Sequence, residues 1–329
     1  MRAVIVMGPM KTGTSAVAAG FTALQRHSAL PPWVTYPIDD LWPFQPRGAH
    51  IVKHHALKGI DGGRLRQRDT VDASALHKVL TRITTRDVSD RSSELVVFVW
   101  EMLATRLMRG TLEIARFDAE MRNHFDAVVY LLTVRRQDEA VRSAVHQAVR
   151  GNAGEPWTTS TDLDIAKLPD RILRQYDYWA IHQLFTAEGL GGSLTLVPFV
   201  EHDIGTSRHL LRMTEAMGIG LVDTTVTDLD RQLIHPSLSK RDLERIARIR
   251  SVQRRFKRGS LGDRVLDRAW QAQRFVSTRR AMRKSQDARG TAYERWRATE
   301  EESNAILERY RDGNERLFAL HPEVDFLSR

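Results

Sequence analysis

Apolar residues along this chain fall into short continuous runs, separated by longer stretches whose apolar positions repeat with a helical period. Ala3-Val4-Ile5-Val6-Met7 is the first run, and it has the length of a buried strand. Ala16-Val17-Ala18-Ala19-Gly20-Phe21-Thr22-Ala23-Leu24 follows it as a helix. Further strands are expected at Val34-Thr35-Tyr36, 51–57, 94–101, 125–134 and 193–199. Runs apolar on both faces suit parallel strands covered by helices. Helices are expected near 73–84, over 117–124, and at 138–150, 170–188, 205–217 and 304–318. The alternation predicts an α/β protein with a central parallel sheet flanked by helices. The aromatics Tyr176, Tyr178 and Trp179 lie on one of those helices and read as core.

The first strand runs into Gly8-Pro9-Met10-Lys11-Thr12-Gly13-Thr14-Ser15, and the helix begins there. Strand, glycine turn and helix N-terminus make an anion site, because backbone N–H groups and the positive end of the helix dipole converge on one spot. Lys11 adds a charge, and Thr12, Thr14 and Ser15 add hydroxyls. A nucleotide-binding P-loop reads G-x-x-x-x-G-K-[ST]. Gly8 and Gly13 have that separation, but Thr14 follows Gly13 and the lysine stands two residues before it. The sheet is therefore expected to be of the P-loop type.

Composition adds three constraints. The chain has 329 residues, 42% of them hydrophobic, enough for a substantial core, and no cysteine, so no disulfide or thiolate metal site forms. No apolar run approaches the roughly 20 residues of a membrane span. The chain opens on a strand without a secretory leader, and a cytoplasmic protein is expected. The net charge of +9 is uneven: residues 240–297 hold 19 Lys/Arg against 6 Asp/Glu, a net of +13, which leaves about −4 for the rest. The expected organisation is an α/β core over 1–239, a long basic helical segment over 240–298, and a terminal helix returning to the core over 299–329. Leu243–Arg255 and Arg264–Lys284 are the helices of the basic segment.

The order Pro9-Met10-Lys11-Thr12-Gly13-Thr14-Ser15 resembles the 5′-phosphosulfate loop of the sulfotransferases that use 3′-phosphoadenosine 5′-phosphosulfate (PAPS), in bacterial and carbohydrate-modifying forms. Ser15 stands where many members carry another threonine. The resemblance implies that residues 10–15 hold the phosphosulfate of PAPS and that Lys11 stabilises charge leaving on the 5′-phosphate. It implies no metal, since a sulfuryl group carries less charge than a phosphoryl group and protein cations replace Mg²⁺. The family's 3′-phosphate element is an R-x-P-x-x-R-x-x-S pattern at a strand end. Arg135 and Ser143 hold its first and last positions, with Gln137 for the proline and Ala140 for the inner arginine. Phe256-Lys257-Arg258-Gly259-Ser260-Leu261-Gly262-Asp263 resembles a further 3′-phosphate loop, which brings in Lys257, Arg258 and Gly259. In this chain that string lies between two basic helices, with 66 residues after it.

A general base must take the acceptor's proton. Ligands of open parallel sheets sit beyond the carboxyl ends of strands, and His54 and His55 lie at such an end. Neighbouring strand residues face opposite ways, so one of the two faces the site. Lys53-His54-His55 resembles the lysine-then-histidine arrangement from which the family draws its base. His55 leads, with His54, Glu101 and His50 as alternatives. Trp100-Glu101 resembles the family's serine–glutamate pair with tryptophan in the serine position. The resemblance implies an acceptor hydroxyl or amine, on a glycan or a small-molecule metabolite; the loops 31–50, 58–70 and 151–169 are the expected pocket, and their side chains fit many alcohols or amines without naming one.

Two other functions fit parts of the sequence. A P-loop nucleotide kinase needs the lysine after Gly13 and an acidic magnesium ligand at a strand end, where Glu101 is the only acidic candidate. A nucleic-acid-binding protein would use residues 240–297, with Phe256, Trp270 and Phe275 among the basic residues. No recognised nucleic-acid motif accompanies them. The segment reads better as a cationic face for an acidic glycan acceptor or an anionic membrane surface at the inner face of the cell.

Overall fold

β1, Arg2–Met7, sits in the middle of a sheet because it has no polar side to show to water. Residues 3–7 are each exposed by 1% or less. In this computed structural model five parallel strands follow the order β2-β3-β1-β4-β5, with β2 at Val34–Thr35, β3 at Leu95–Trp100, β4 at Ala127–Val134 and β5 at Leu194–Pro198. The structure describes residues 1–9, 12–37, 77, 80–81, 83–84, 94–100, 103–110, 112–150, 168–199, 206–221 and 299–327. The register sets Met7 beside Trp100 on β3 and beside Leu132 on β4. All six residues of β3 are buried. Each fully buried Val, Ile or Leu side chain contributes about 1.5–3 kcal/mol relative to exposure, so these runs specify the sheet interior.

Helix α1, Thr14–Arg26, leaves the loop after β1. Between β3 and β4 lie α2, Leu103–Met108, which was not expected, and α3, Ile114–Arg122, which ends two residues before the expected helix end at His124. α4 spans Gln137–Arg150 after β4. Two expectations need correction. The stretch 170–188 is not one helix: α5, Asp170–Leu173, passes into a 3₁₀ turn, and α6 starts afresh at Tyr178–Ala187. Asp177 leaves the helical region (φ −79°, ψ 86°) and its side chain accepts the Ala180 N–H at 2.9 Å, which caps α6. The last helix starts earlier than expected. After α7, Thr206–Ala216, comes α8, Glu300–Leu320. It opens on a reciprocal capping box in which the Thr299 N–H donates to Glu302 Oε2 at 2.7 Å and the Glu302 N–H donates to Thr299 Oγ1 at 3.2 Å.

The chain divides into two compact units. One comprises Met1–Arg136, Asp170–Ile234 and Tyr310–Arg329; the other comprises Gln137–Pro169 and His235–Arg309. The first holds the sheet and its core. Within it the Tyr310 hydroxyl donates to the Leu173 carbonyl at 2.7 Å, and Asn314 donates to the Leu327 carbonyl at 2.9 Å. In the second, α4 buries Ala140, Val141, Ala144 and Val145, a stripe with helical period. The expected strand at 51–57 and the basic helices 243–255 and 264–284 lie outside the described residues. Among those residues no helix is long and apolar enough to cross a membrane.

Candidate functional site

The chain leaves β1 for β2 and β3 on one side of the sheet, then crosses back to β4 and β5 on the other. The carboxyl ends of β1 and β4 therefore flank the point where the strand order reverses, which is where open parallel sheets hold ligands. Residues 8–9, 12–15 and 133–136 lie at these ends.

One buried contact between hydroxyls stitches the loop to β4. The Thr133 hydroxyl lies 2.7 Å from the Thr12 hydroxyl and 3.1 Å from the Met7 carbonyl, and the Thr12 hydroxyl lies 2.9 Å from the Pro9 carbonyl. Each hydroxyl carries one proton, so two of these three contacts are hydrogen bonds at any one time. A Cβ on Gly8 would stand 2.1 Å from Thr133 Oγ1 and 2.3 Å from Thr12 Oγ1, so only glycine leaves room for the bridge. The Thr12 hydroxyl is thus turned inward as a staple.

Gly13 is the N-cap of α1, in the left-handed region at φ 94° and ψ −4°. Its carbonyl accepts the N–H groups of Ala16 at 2.9 Å and Val17 at 3.1 Å. No side chain of its own caps the helix, and no acidic residue sits in the first turn. The first turn of α1 therefore carries no carboxylate of its own to offset the positive end of the dipole. Thr14 opens the helix and is buried.

Arg135 stands just past β4, 8% exposed. The buried Tyr178 hydroxyl clasps its backbone, donating to the Arg135 carbonyl at 2.8 Å and accepting its N–H at 3.0 Å. The Phe199 N–H donates to the Val134 carbonyl at 2.7 Å, which carries the β4–β5 pairing one step past β5. That step sets the Phe199 ring under the guanidinium, with Cζ 5.2 Å from the ring centroid. The same ring lies against Gly13, where a Cβ would stand 2.7 Å from Phe199 Cδ2. Phe199 thus couples Arg135 to the loop.

His209 on α7 completes this floor. Its ring meets Phe199 edge-on at 4.8 Å between centroids, and its Nε2 would lie 2.8 Å from a Gly13 Cβ. It is fully buried, and neither ring nitrogen has a hydrogen-bond partner among the described residues. Burial, helped by the Arg212 charge, lowers its pKa to about 3. The imidazole is therefore neutral at physiological pH. The unfolded chain takes up a proton below the ordinary histidine value of 6.5, while the folded chain does not until about 3. Stability should therefore fall on acidification through this window, by roughly a factor of ten in the folding equilibrium constant for each pH unit. Denaturant midpoints between pH 7 and pH 4 should show this, and His209→Gln should flatten that part of the slope.

Of the sequence-predicted site residues, the structure brings together Thr12, Gly13, Thr14 and Arg135 in the first unit. Ser15 lies in the first turn of α1. Ser143 lies in the second unit, on α4, half-buried. Ala140, at the place of the inner arginine, is fully buried. Met10, Lys11, His50, His54, His55, Glu101, Lys257, Arg258 and Gly259 lie outside the described residues. Thr133, Tyr178, Phe199 and His209 went unmarked as site residues, since each reaches the loop from a distant part of the chain. No known family model matches the chain, and no curated protein matches it.

Proposed function

We propose that the protein is a PAPS-dependent sulfotransferase that moves the sulfuryl group to a hydroxyl or amine by in-line displacement. The observation that carries this reading is the helix N-terminus at Gly13, with no acidic residue in its first turn, joined through Phe199 to Arg135 at the neighbouring strand end. An anion at the loop and a second phosphate at a guanidinium fit one nucleotide with phosphates at both its 5′ and 3′ positions. In this reading Lys11 and the N–H groups of residues 12–15 hold the phosphosulfate. Arg135 takes the 3′-phosphate. His55, His54 or Glu101 takes the acceptor proton. The basic stretch 240–297 attracts an acidic glycan acceptor or an anionic membrane.

The first test is thermal stabilisation. The product nucleotide, 3′-phosphoadenosine 5′-phosphate (PAP), should raise the melting temperature in the presence of EDTA. A shift seen only with ATP and Mg²⁺ would favour a kinase. Arg135→Ala should then weaken PAP by about 10- to 100-fold, the loss of a charged hydrogen bond. It should leave adenosine 5′-phosphosulfate, which has no 3′-phosphate, almost unaffected. Equal losses for both nucleotides would remove Arg135 from the 3′-phosphate.

A further inference from the structure

Three side chains meet away from the loop. Among them, α3 supplies Glu120, and His124 follows two residues after that helix ends. His77 reaches them from a helical position far earlier in the chain. His77 Nδ1 lies 3.0 Å from Glu120 Oε1 and 3.1 Å from His124 Nε2, and His124 Nε2 lies 3.5 Å from Glu120 Oε1. The three atoms form a nearly equilateral triangle. Four ligands in a tetrahedron at the 2.0–2.1 Å of a zinc–nitrogen bond stand about 3.3–3.4 Å apart, close to these edges.

Protons satisfy this triangle poorly. An ionised carboxylate only accepts, and a neutral imidazole nitrogen either donates or accepts. If both facing nitrogens carry hydrogens, both can donate to Glu120 Oε1, and the 3.1 Å edge between the imidazoles then holds no bond. If neither does, three lone pairs converge. A single proton lies along one edge and leaves the others unserved. One cation at the centre satisfies all three lone pairs together. The surroundings also hold the ligands in place. Asn123 Nδ2 donates to the other carboxylate oxygen, Glu120 Oε2, at 3.3 Å, which leaves Oε1 to the imidazoles. The side chains of Glu120 and His124 are mostly shielded, at 12% and 8% exposure, whereas His77 is 58% exposed. The fourth position therefore opens to solvent.

We propose that His77 Nδ1, Glu120 Oε1 and His124 Nε2 form a binding site for a divalent transition-metal ion of the zinc class. Two imidazoles and a carboxylate are a donor set that suits zinc. His124 precedes the start of β4 at Ala127, whereas Arg135 follows its other end, so this site is separate from the nucleotide loop. It does not depend on the sulfotransferase reading, and it gives the metal no part in sulfuryl transfer. Bound there, the ion ties residue 77 to the end of α3.

The test uses the untagged full-length chain, stripped with a chelator and dialysed. Zn²⁺ is titrated by calorimetry and against a chromophoric chelator, and Co²⁺ is used for its visible spectrum. The expected result is one tight site per chain, a visible Co²⁺ spectrum of tetrahedral intensity, and weakening by about tenfold or more in His77→Ala and in Glu120→Gln. The exposed His77 makes the first variant safe for folding, which a melt in EDTA checks. The chain holds 12 histidines, so the variants separate this triangle from the rest. No stoichiometric binding, or binding unchanged in a folded His77→Ala chain, would overturn the proposal.

Discussion

Gly13→Ala should destabilise the protein by about 2–5 kcal/mol and abolish stabilisation by PAP. Two independent costs add here. A side chain at φ 94° occupies the left-handed region, which costs about 1–2 kcal/mol. The new Cβ would also stand 2.7 Å from Phe199 and 2.8 Å from His209, both held in place by the packing of β5 and α7. Overpacking of that kind costs about 1–3 kcal/mol. Gly110 gives the control. Its φ is +63°, but nothing lies within 4 Å of the Cβ position. Gly110→Ala should therefore show the backbone cost alone. Urea denaturation of both variants separates the terms, and equal losses would mean that the floor under Gly13 yields freely. The same substitution pushes on Phe199 and through it on Arg135, so PAP should lose both its anchors in one variant.

The second large effect is expected at Lys11. Lys11→Ala should lower sulfuryl transfer by roughly 10²–10³-fold, the usual cost of removing one group that stabilises charge in the transition state. The measurement is PAP release from PAPS across a panel of alcohols, phenols and glycans. Folding should be spared, because among the described residues the contacts that fix the loop belong to Gly8, Pro9, Thr12, Gly13 and Thr133. A thermal midpoint close to that of the wild type, with activity lost, would assign Lys11 to chemistry. Full activity in the variant would remove the ground for reading the displaced lysine as a phosphosulfate ligand. His55→Ala, His54→Ala and Glu101→Gln in the same assay would show which group takes the proton.

Much of the α/β frame was legible because its signals are local. The runs that became β1, β3, β4 and β5 are continuous and apolar, and burial on both faces of a parallel strand needs that pattern. The glycine turn before α1 was equally plain, since Gly13 adopts the conformation that its residue type allows most readily. The strand order was not legible, because it depends on pairing between segments that lie far apart in the sequence, such as Arg2 with Leu95 and Arg2 with Ala127. The break at Asp177 had a local signal, an aspartate ahead of an apolar helix, but the aromatics around it carried the helical period across the gap. The capping box Thr299–Glu302 was likewise written in the sequence ahead of the expected start of α8. His209 had no such signal. Leu210, Leu211 and Met213 follow it on the helix, but a lone histidine beside apolar residues reads as ordinary packing, and its contact with Phe199 and Gly13 depends on segments distant in sequence. Gly20 allows the approach of α7 to α1, since a Cβ there would meet Leu210 at 2.5 Å. The His77–Glu120–His124 triangle was hidden for the same reason, since its first member lies 43 residues from the second.

The central place of β1 also bears on how the chain is made. Residues 2–7 leave the ribosome before either neighbour exists, since β3 begins at Leu95 and β4 at Ala127. At about 5–20 residues per second, the wait for β3 is roughly 5–20 s. During that time one of the most apolar stretches of the protein has both edges open, the condition under which nascent strands pair with the wrong chain. Occupancy by a nascent-chain chaperone, and a yield that falls when synthesis outruns it, follow from placing the first strand at the centre of a parallel sheet.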